Sequence, residues 1–204
     1  MHIAIVGNIG AGKTTLTELL AKSYGWDPLY EEVENNPYLE DFYSDMKRWS
    51  FNLQIYFLNT RFEQMIEIQK QTRNIIQDRT IYEDAYIFAE NLHDMALMTT
   101  RDYENYRSIF DNITAFIKPP DLLVYLKASV PTLVNNIQRR GREYESGIRI
   151  DYLAKLNDKY KKWIDGYKLG KLLVMDMDNL DFANNPEHMS TVIQKIEAEI
   201  NGLF

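Results

Sequence analysis

The chain has 204 residues, of which 45% are hydrophobic, and a formal net charge of −7. This length and composition favour a single α/β domain spanning residues 1–204. Because an acidic surface repels phosphate backbones, we expect neither nucleic acid nor an anionic membrane as the main partner. The absence of cysteine excludes disulfides and thiolate metal sites.

The N-terminal residues and the lengths of the apolar runs bear on the cellular location of the protein. The first residues already have the pattern of a core strand, so no secretory signal is expected. No run approaches the roughly eighteen consecutive apolar residues of a membrane span. A chain without cysteine fits a reducing compartment, and we expect a cytoplasmic protein.

The hydrophobic pattern alternates between strands and helices. Strands are predicted at 2–6, 28–31, 74–78, 121–126 and 171–175. Helices are predicted at 15–24, 49–71, 84–98, 101–117, 130–139, 151–168 and 187–201. Such alternation indicates a parallel sheet with helices on both faces. The apolar stripe of the longest helix is predicted to consist of Phe51, Ile55, Leu58, Phe62 and Met65.

The first strand leads into a glycine-rich loop that fits G-x-x-x-x-G-K-[ST]. A strand, this loop and a helix are the order in which backbone N–H groups hold phosphates at a helix N-terminus. In this pattern Lys13 pairs with the β- and γ-phosphates and the Thr14 hydroxyl is a ligand of Mg²⁺. An ordinary tight turn is the alternative. The predicted nucleotide-binding residues are Gly7, Asn8, Ile9, Gly10, Ala11, Gly12, Lys13, Thr14 and Thr15.

An acidic segment, Tyr30-Glu31-Glu32-Val33-Glu34, follows the second predicted strand. Ligands of open α/β folds bind at the carboxyl ends of the strands. A carboxylate there could accept the proton of a hydroxyl that attacks a γ-phosphate. The spacing alone does not distinguish this from a solvated acidic loop that leads to a short helix.

The third predicted strand ends in Gln77-Asp78-Arg79-Thr80. An acidic residue at a strand end beside a phosphate loop commonly holds Mg²⁺, and a neighbouring arginine can brace phosphate oxygens. The alternative is a surface ion pair of little energetic value. The position at the strand end favours the functional interpretation.

The segment Arg139-Arg140-Gly141-Arg142-Glu143-Tyr144-Glu145 closes a predicted helix. Arginines at a helix C-terminus can simply complement the helix dipole. A mobile lid that carries arginines can also stabilise the charge of a phosphoryl group in transfer. Three arginines within four residues favour a lid, predicted at about 139–149.

Together these motifs resemble the deoxyribonucleoside kinases, the group of deoxycytidine, deoxyguanosine and deoxyadenosine kinases, over nearly the whole chain. The resemblance implies a P-loop kinase fold: five parallel strands flanked by helices, with an arginine-bearing lid. It also implies a homodimer formed by a helix pair, for which the helices at 49–71 and 84–98 offer a face. The implied reaction is transfer of the γ-phosphoryl group of ATP, carried with Mg²⁺, to a deoxyribonucleoside 5′-hydroxyl in nucleotide salvage. The resemblance implies a purine or cytosine base rather than thymine, and we expect a purine to be preferred, deoxyadenosine first and deoxyguanosine second.

The resemblance assigns catalytic roles to four residues. The family's E-P-V becomes Glu31-Glu32-Val33, which implies that Glu31 is the base for the 5′-hydroxyl, with Glu32 the alternative. The family's (D/E)-R-S becomes Asp78-Arg79-Thr80, and Asp78 is the expected metal ligand together with Thr14. The lid motif R-G-R-x-x-E begins at Arg140. The residues implied to stabilise the transferring group are Arg79, Arg140 and Arg142.

The resemblance also assigns substrate contacts. Tyr43 is implied to contact the sugar 3′-hydroxyl together with Glu145, and Gln54 to hydrogen-bond the base. Arg61, which lies two turns after Gln54 on the same helix face, resembles an arginine that pairs with an aspartate near the base, here Asp84. A structural ion pair is compatible with that role. The donor's adenine is implied to border Asp181 and Phe182.

Two other enzyme or binding classes share the glycine-rich loop. A nucleoside monophosphate kinase of the thymidylate kinase type must bind an acceptor phosphate, which the acidic segment at Glu31 would repel. A nucleotide-binding switch protein is expected to carry D-x-x-G and N-K-x-D elements, and neither string occurs in the sequence. The deoxynucleoside kinase interpretation is therefore preferred.

Overall fold

The computed structural model describes residues 1–31, 36–145 and 147–202. Five strands form one parallel sheet in the order β2-β3-β1-β4-β5. They are β1 His2–Gly7, β2 Asp27–Leu29, β3 Ile75–Asp78, β4 Leu122–Lys127 and β5 Lys171–Asp176. The predicted five-stranded parallel sheet is confirmed.

The edge strand β2 is shorter than predicted and begins one residue earlier. It ends at Leu29 because Tyr30 leaves the ladder, and the Tyr30 carbonyl accepts a hydrogen bond from Gln64 Nε2 at 2.8 Å. Glu31 is thereby turned toward the middle of the sheet edge, where its carboxylate meets two arginines.

Nine α-helices are present in the described ranges. They are α1 Lys13–Tyr24, α2 Leu39–Ser44, α3 Met46–Lys70, α4 Ile81–Glu83, α5 Glu90–Asp94, α6 Thr100–Thr114, α7 Val130–Arg140, α8 Ile150–Asp165 and α9 Pro186–Asn201. A π-helical turn, Asp84–Ala89, joins α4 to α5, and a 3₁₀ turn, Glu143–Glu145, follows α7.

The helical stretch predicted at 84–98 covers 81–94 instead. Its start is set by a capping box, in which Thr80 Oγ1 accepts from the Glu83 N–H and the Glu83 carboxylate accepts from the Thr80 N–H at 2.9 Å. Its end is set near Ala96, whose φ of 55° is left-handed. The early start places Asp84 in the π-helical turn rather than at a helix N-terminus.

The central strand β1 is buried along its whole length. Ala4 and Val6 pack against the side of the sheet that α3, the π-helical turn and α8 cover, whereas Ile3 and Ile5 face α1 and α9. A fully buried parallel strand of this kind reads as continuous apolar sequence. The parallel arrangement also brings the ends of β1, β3 and β4 to one edge, where the glycine-rich loop begins.

The buried face of α3 differs from the predicted apolar stripe. Leu58 and Met65 are buried, but Phe51, Ile55 and Phe62 are only partly so. The other fully buried positions are Ser50, Leu53, Gln54 and Arg61. Three of these, Ser50, Gln54 and Arg61, are polar, and Gln54 borders a cavity at the sheet edge, which hydrophobic periodicity does not detect.

No helix among the described residues is long and apolar enough to cross a membrane.

Candidate active site

Two glycines of the loop cannot be replaced without strain. Gly7 has φ of +154°, and a Cβ there would lie 2.8 Å from the Leu126 carbonyl oxygen. Gly12 has φ of +92°, and a Cβ would lie 3.1 Å from the ring of Phe182. The loop therefore needs glycine both for its backbone conformation and for its close approach to neighbours.

The loop is held in shape by hydrogen bonds within the protein. Lys13 is buried, and its Nζ donates to the Asn8 carbonyl at 3.0 Å. The Asn8 side chain donates to the Leu153 carbonyl at 3.0 Å and to Asn157 Oδ1 at 2.7 Å, both on α8. Burial, reinforced by the charge of Arg79, lowers the pKa of Lys13 to about 8. An anion beside Lys13 would find a preformed cationic cradle.

The Thr14 hydroxyl donates to Asp78 Oδ2 at the end of β3. Asp78 is 1% exposed, and its Oδ1 has no hydrogen-bond partner among the described residues. A hydroxyl and a carboxylate beside a phosphate site are the hard oxygen ligands that Mg²⁺ prefers. These two residues fit a magnesium ion shared with phosphates. No group of three or more potential His, Cys, Asp or Glu ligands exists within the described ranges.

Glu31 lies between two arginines. Its Oε1 accepts from Arg61 Nη2 at 2.9 Å, and its Oε2 accepts from Arg79 Nε at 3.0 Å. Burial alone would raise the pKa of Glu31, but Arg79, Arg61 and Lys13 together lower it to about 2. The carboxylate is therefore ionised throughout the ordinary pH range.

Arg79 adopts a backbone conformation that is uncommon outside glycine, with φ of +70°. Its N–H still bonds the Ile5 carbonyl at 2.9 Å, and its guanidinium lies 4.6 Å from the centre of the Phe88 ring. Such strain persists where the surrounding structure fixes it and is typical of functional sites. The turn after β3 thus aims Arg79 at Glu31 and the loop.

A cavity of ≈ 850 Å³, counted with its open mouth, lies between α3, the π-helical turn and the segment after α7. Such a volume suits a small organic molecule. Its lining includes Ile9, Gly10, Lys13, Thr14, Glu31, Tyr43, Gln54, Arg79, Asp84, Phe88, Arg140, Arg142, Tyr144 and Glu145. Most of the residues that the sequence nominated for catalysis and acceptor binding therefore meet in one place.

Arg61 is the exception among the predicted base contacts. It is 1% exposed, does not line the cavity, and lies behind Glu31 and Asp84. The gap between Arg61 Nε and Asp84 Oδ2 is 3.5 Å, and neither atom has a hydrogen-bond partner among the described residues. Burial, opposed by Arg61, raises the pKa of Asp84 to about 7.

Gln54 supplies a further unsatisfied group, since its Oε1 is buried and has no partner in the described part of the chain. Buried polar atoms of native proteins are normally paired. The unpaired Gln54 and Asp84 oxygens at one end of the cavity suit a ligand that carries N–H donors. Phe57 and Phe88 line the same cavity and offer aromatic faces.

Four residues of the predicted lid line the other end of the cavity: Arg140, Arg142, Tyr144 and Glu145. Arg140 forms a two-point contact with Glu145, including Nε to Oε2 at 3.1 Å, and Arg142 Nη1 lies 3.6 Å from Glu145 Oε1. Tyr144 stacks on Tyr43 with ring centres 5.8 Å apart. Glu145 is therefore occupied by both lid arginines in this structure.

A second cleft lies on the far side of the loop. Arg140 and Arg142 line it as well, and so do the predicted donor contacts Thr15, Asp181 and Phe182. The two lid arginines thus stand at the junction between the cavity and this cleft. A phosphoryl group that passes from one to the other would pass them.

One predicted residue falls outside the described part of the chain, and two buried contacts of the loop were not predicted. The alternative base Glu32, with Val33 and Glu34, lies outside the described residues. Sequence reasoning overlooked Glu83 and Tyr160, both completely buried and both bonded to Gly7. The capping-box pattern Thr80-x-x-Glu83 was the one available signal for Glu83.

The fold and the glycine-rich loop define the class of P-loop kinases, with a cavity on one side of the loop and a cleft on the other. The family model described as "Deoxynucleoside kinase" matches residues 3–201. The chain belongs to the deoxynucleoside kinase family, and it is an enzyme of that class.

Relatives extend this comparison. The chain is 38% identical over 201 residues to the deoxyadenosine/deoxycytidine kinase of Bacillus subtilis, covering 98% of this chain and 93% of that protein. It is 37% identical to a deoxyguanosine kinase of Lactobacillus acidophilus, covering 95% of this chain and 88% of that one. The structure of M. mycoides deoxyadenosine kinase with products dCMP and dCDP aligns with a TM-score of 0.87 and 32% identity, over 97% of this chain and 100% of that one.

Proposed function

We propose that this kinase transfers the γ-phosphoryl group of ATP to the 5′-hydroxyl of a deoxyribonucleoside, with deoxyadenosine preferred and deoxyguanosine second. The observation that carries the proposal is the Glu31 carboxylate, held by Arg61 and Arg79 where the cavity meets the glycine-rich loop. The carboxylate can accept a hydrogen bond from a neutral hydroxyl, whereas an ionised acceptor phosphate has no proton to donate to it.

Glu31 is the acceptor for the 5′-hydroxyl proton in this proposal. A carboxylate with a pKa near 2 is a weak base, so its main task is to orient the hydroxyl and to receive the proton late. That task suits phosphoryl transfer, whose loose transition state depends chiefly on positioning and charge stabilisation.

The cations around the junction stabilise the transferring group. Lys13 and Arg79 do so from the sheet edge, and Arg140 and Arg142 from the lid, after exchanging Glu145 for phosphate oxygens. Thr14 and Asp78 would hold a magnesium ion, which neutralises phosphate charge when bound.

The rest of the cavity selects the nucleoside. Tyr43 faces the sugar 3′-hydroxyl, joined by Glu145 once the arginines have turned to phosphate. Gln54 and Asp84 receive the base, and Arg61 orients Asp84 from behind. On the donor side, Asp181 and Phe182 border the adenine.

The purine preference is supported by the names of the relatives. Those in B. subtilis and L. acidophilus are named for deoxyadenosine with deoxycytidine, and for deoxyguanosine. M. mycoides deoxyadenosine kinase is also known with bound dATP. None of these three relatives is named for thymidine.

The test is ADP release from ATP and Mg²⁺ by the purified protein with deoxyadenosine, deoxyguanosine, deoxycytidine and thymidine. Deoxyadenosine should give the highest kcat/KM and thymidine the lowest. A higher kcat/KM for deoxycytidine than for either purine would overturn the proposed preference. dAMP and dTMP as acceptors test the monophosphate kinase alternative, which predicts turnover with them alone.

We also propose that the protein works as a cytoplasmic homodimer. Ile109, within α6, and Phe116, two residues beyond its end, are 37% and 79% exposed and provide apolar surface for a partner chain. Light scattering coupled to gel filtration would give twice the mass of a 24.1 kDa chain. A single-chain mass at micromolar concentration would refute the dimer.

A further inference from the structure

Gly7, the first residue of the glycine-rich loop, forms hydrogen bonds to two side chains, one through its N–H and one through its carbonyl. Its N–H donates to Glu83 Oε1 at 3.2 Å, and its carbonyl accepts from the Tyr160 hydroxyl at 2.8 Å. The same hydroxyl proton is shared with Glu83, because Tyr160 Oη also lies 2.6 Å from Glu83 Oε1. We name Glu83 and Tyr160 the Gly7 clasp.

The clasp is connected to the strained arginine of the acceptor site. Arg79 Nη1 donates to the Tyr160 hydroxyl at 3.4 Å and lies 3.7 Å from Glu83 Oε1. The second Glu83 oxygen accepts from the Thr80 N–H at 2.9 Å. The clasp therefore ties the turn after β3, which carries Arg79, to the turn after β1, which begins the loop.

Both clasp residues are 0% exposed, and neither lines the cavity or the second cleft. They come from different parts of the chain, Glu83 from α4 and Tyr160 from α8, the helix that follows the lid. A buried carboxylate is costly and is retained only where several donors satisfy it. Here the Gly7 N–H, the Thr80 N–H and the Tyr160 hydroxyl donate to Glu83, where the glycine-rich loop adjoins the turn that carries Arg79.

We propose that Glu83 and Tyr160 are positioning residues that act as one unit and fix the loop's Gly7 relative to Arg79. The clasp thereby sets the distance between the donor phosphates and the hydroxyl that Glu31 orients. This inference rests on the phosphate-site roles proposed above for the loop and Arg79. Because a misplacement of about 1 Å can reduce a rate on the order of 100-fold, the clasp matters without touching substrate.

The experiment compares Tyr160→Phe, Glu83→Gln and the double variant with the wild-type chain. Phenylalanine removes only the hydroxyl. Glutamine keeps the size of Glu83 but offers one acceptor oxygen where the contacts require two, so the N–H of either Gly7 or Thr80 is left unpaired. Tyr82→Phe is the matched control, since Tyr82 is also buried but packs against Phe110, away from the loop.

Two readouts are used: the Kd for ATP by calorimetry, and kcat with KM for the deoxynucleoside. Each single variant should weaken ATP binding about tenfold and lower kcat about tenfold or more, with the nucleoside KM within about twofold. Because the two residues act as a unit, the double variant should lose no more than about twofold beyond the worse single one. Tyr82→Phe should match the wild type in both readouts.

Wild-type ATP affinity and kcat in Tyr160→Phe would overturn the inference, even if its melting temperature falls, since the clasp would then be structural only. Losses that simply multiply in the double variant would also overturn it. If Glu83→Gln does not fold, the Kd for ATP and the kcat of Tyr160→Phe alone test the inference. Should the wild type turn over no nucleoside, the proposed function fails, and the ATP affinities still test the clasp.

Discussion

At the scale of single residues, the site depends on one carboxylate whose charge is fixed by its neighbours. Glu31 is held by Arg61 and Arg79, and its pKa near 2 lies well below the ordinary value of 4.5. Because a depressed carboxyl pKa contributes stability above the unfolded value, this contribution is complete above about pH 5 and declines toward pH 2. Activity at neutral pH is therefore not limited by protonation of Glu31.

Glu31→Gln should keep the fold but lower kcat about a hundredfold or more, because the amide cannot accept the 5′-hydroxyl proton. ATP affinity should change little, since Glu31 does not contact the donor cleft. Steady-state kinetics and calorimetry measure the two effects. Glu104→Gln, an exposed position on α6, serves as the control. Near-wild-type turnover in Glu31→Gln would mean that another group accepts the proton.

Lys13 should impose an alkaline limit on donor binding. Burial lowers its pKa to about 8, so the free enzyme loses this cation as the pH rises through about 8. We expect kcat/KM for ATP, which reports the free enzyme, to fall above about pH 8. The fall of kcat above this pH should be smaller than the fall of kcat/KM, since bound phosphates stabilise the ammonium form of Lys13. A kcat/KM for ATP that stays flat to about pH 9.5 would contradict this.

At the scale of elements, α3 shows where sequence patterns succeed and where they do not. Its existence and length were predicted, but its buried face includes Gln54 and Arg61 in place of Phe51, Ile55 and Phe62. A helix that borders a ligand cavity buries polar groups for the ligand, and those reduce the apolar signal.

The buried face of α3 determines how much stability each of its residues contributes. Leu58→Ala should destabilise the protein by about 2–5 kcal/mol, because Leu58 is 2% exposed and its truncation leaves a cavity. Ile55→Ala, at a partly buried position of the same helix, should cost clearly less. Urea unfolding with a constant m-value measures both. Equal losses of unfolding free energy at the two positions, or a larger loss at Ile55, would favour the predicted apolar stripe, in which both residues are buried.

The motifs that follow strands were predicted best. Lys13, Asp78 and Arg79 are brought to one edge because parallel strands end on the same side of a sheet. The clasp was not predicted, since Tyr160 lies 153 residues from Gly7 in the chain and no local pattern connects them. The strain at Arg79 was equally hidden, because a positive φ outside glycine leaves no mark in composition.

At the scale of the whole molecule, the fold places two binding spaces on either side of the glycine-rich loop. The glycine-rich loop lies between the cavity proposed for the acceptor and the cleft proposed for the donor, and Arg140 and Arg142 line both. Helix α8 links the lid to the loop through Asn157 and Tyr160. A lid that moves in the reaction, as proposed above, would thereby be connected to the residues proposed to hold phosphate, which suits an enzyme that must exclude water during transfer.

The central claim, transfer of a phosphoryl group to a nucleoside 5′-hydroxyl, is tested most directly by identifying the product. Phosphorus NMR of the protein with ATP, Mg²⁺ and deoxyadenosine should show ADP and an equal amount of a phosphate monoester coupled to the two 5′ protons of dAMP. ADP with free inorganic phosphate, or a monoester coupled to the 3′ proton, would contradict the account.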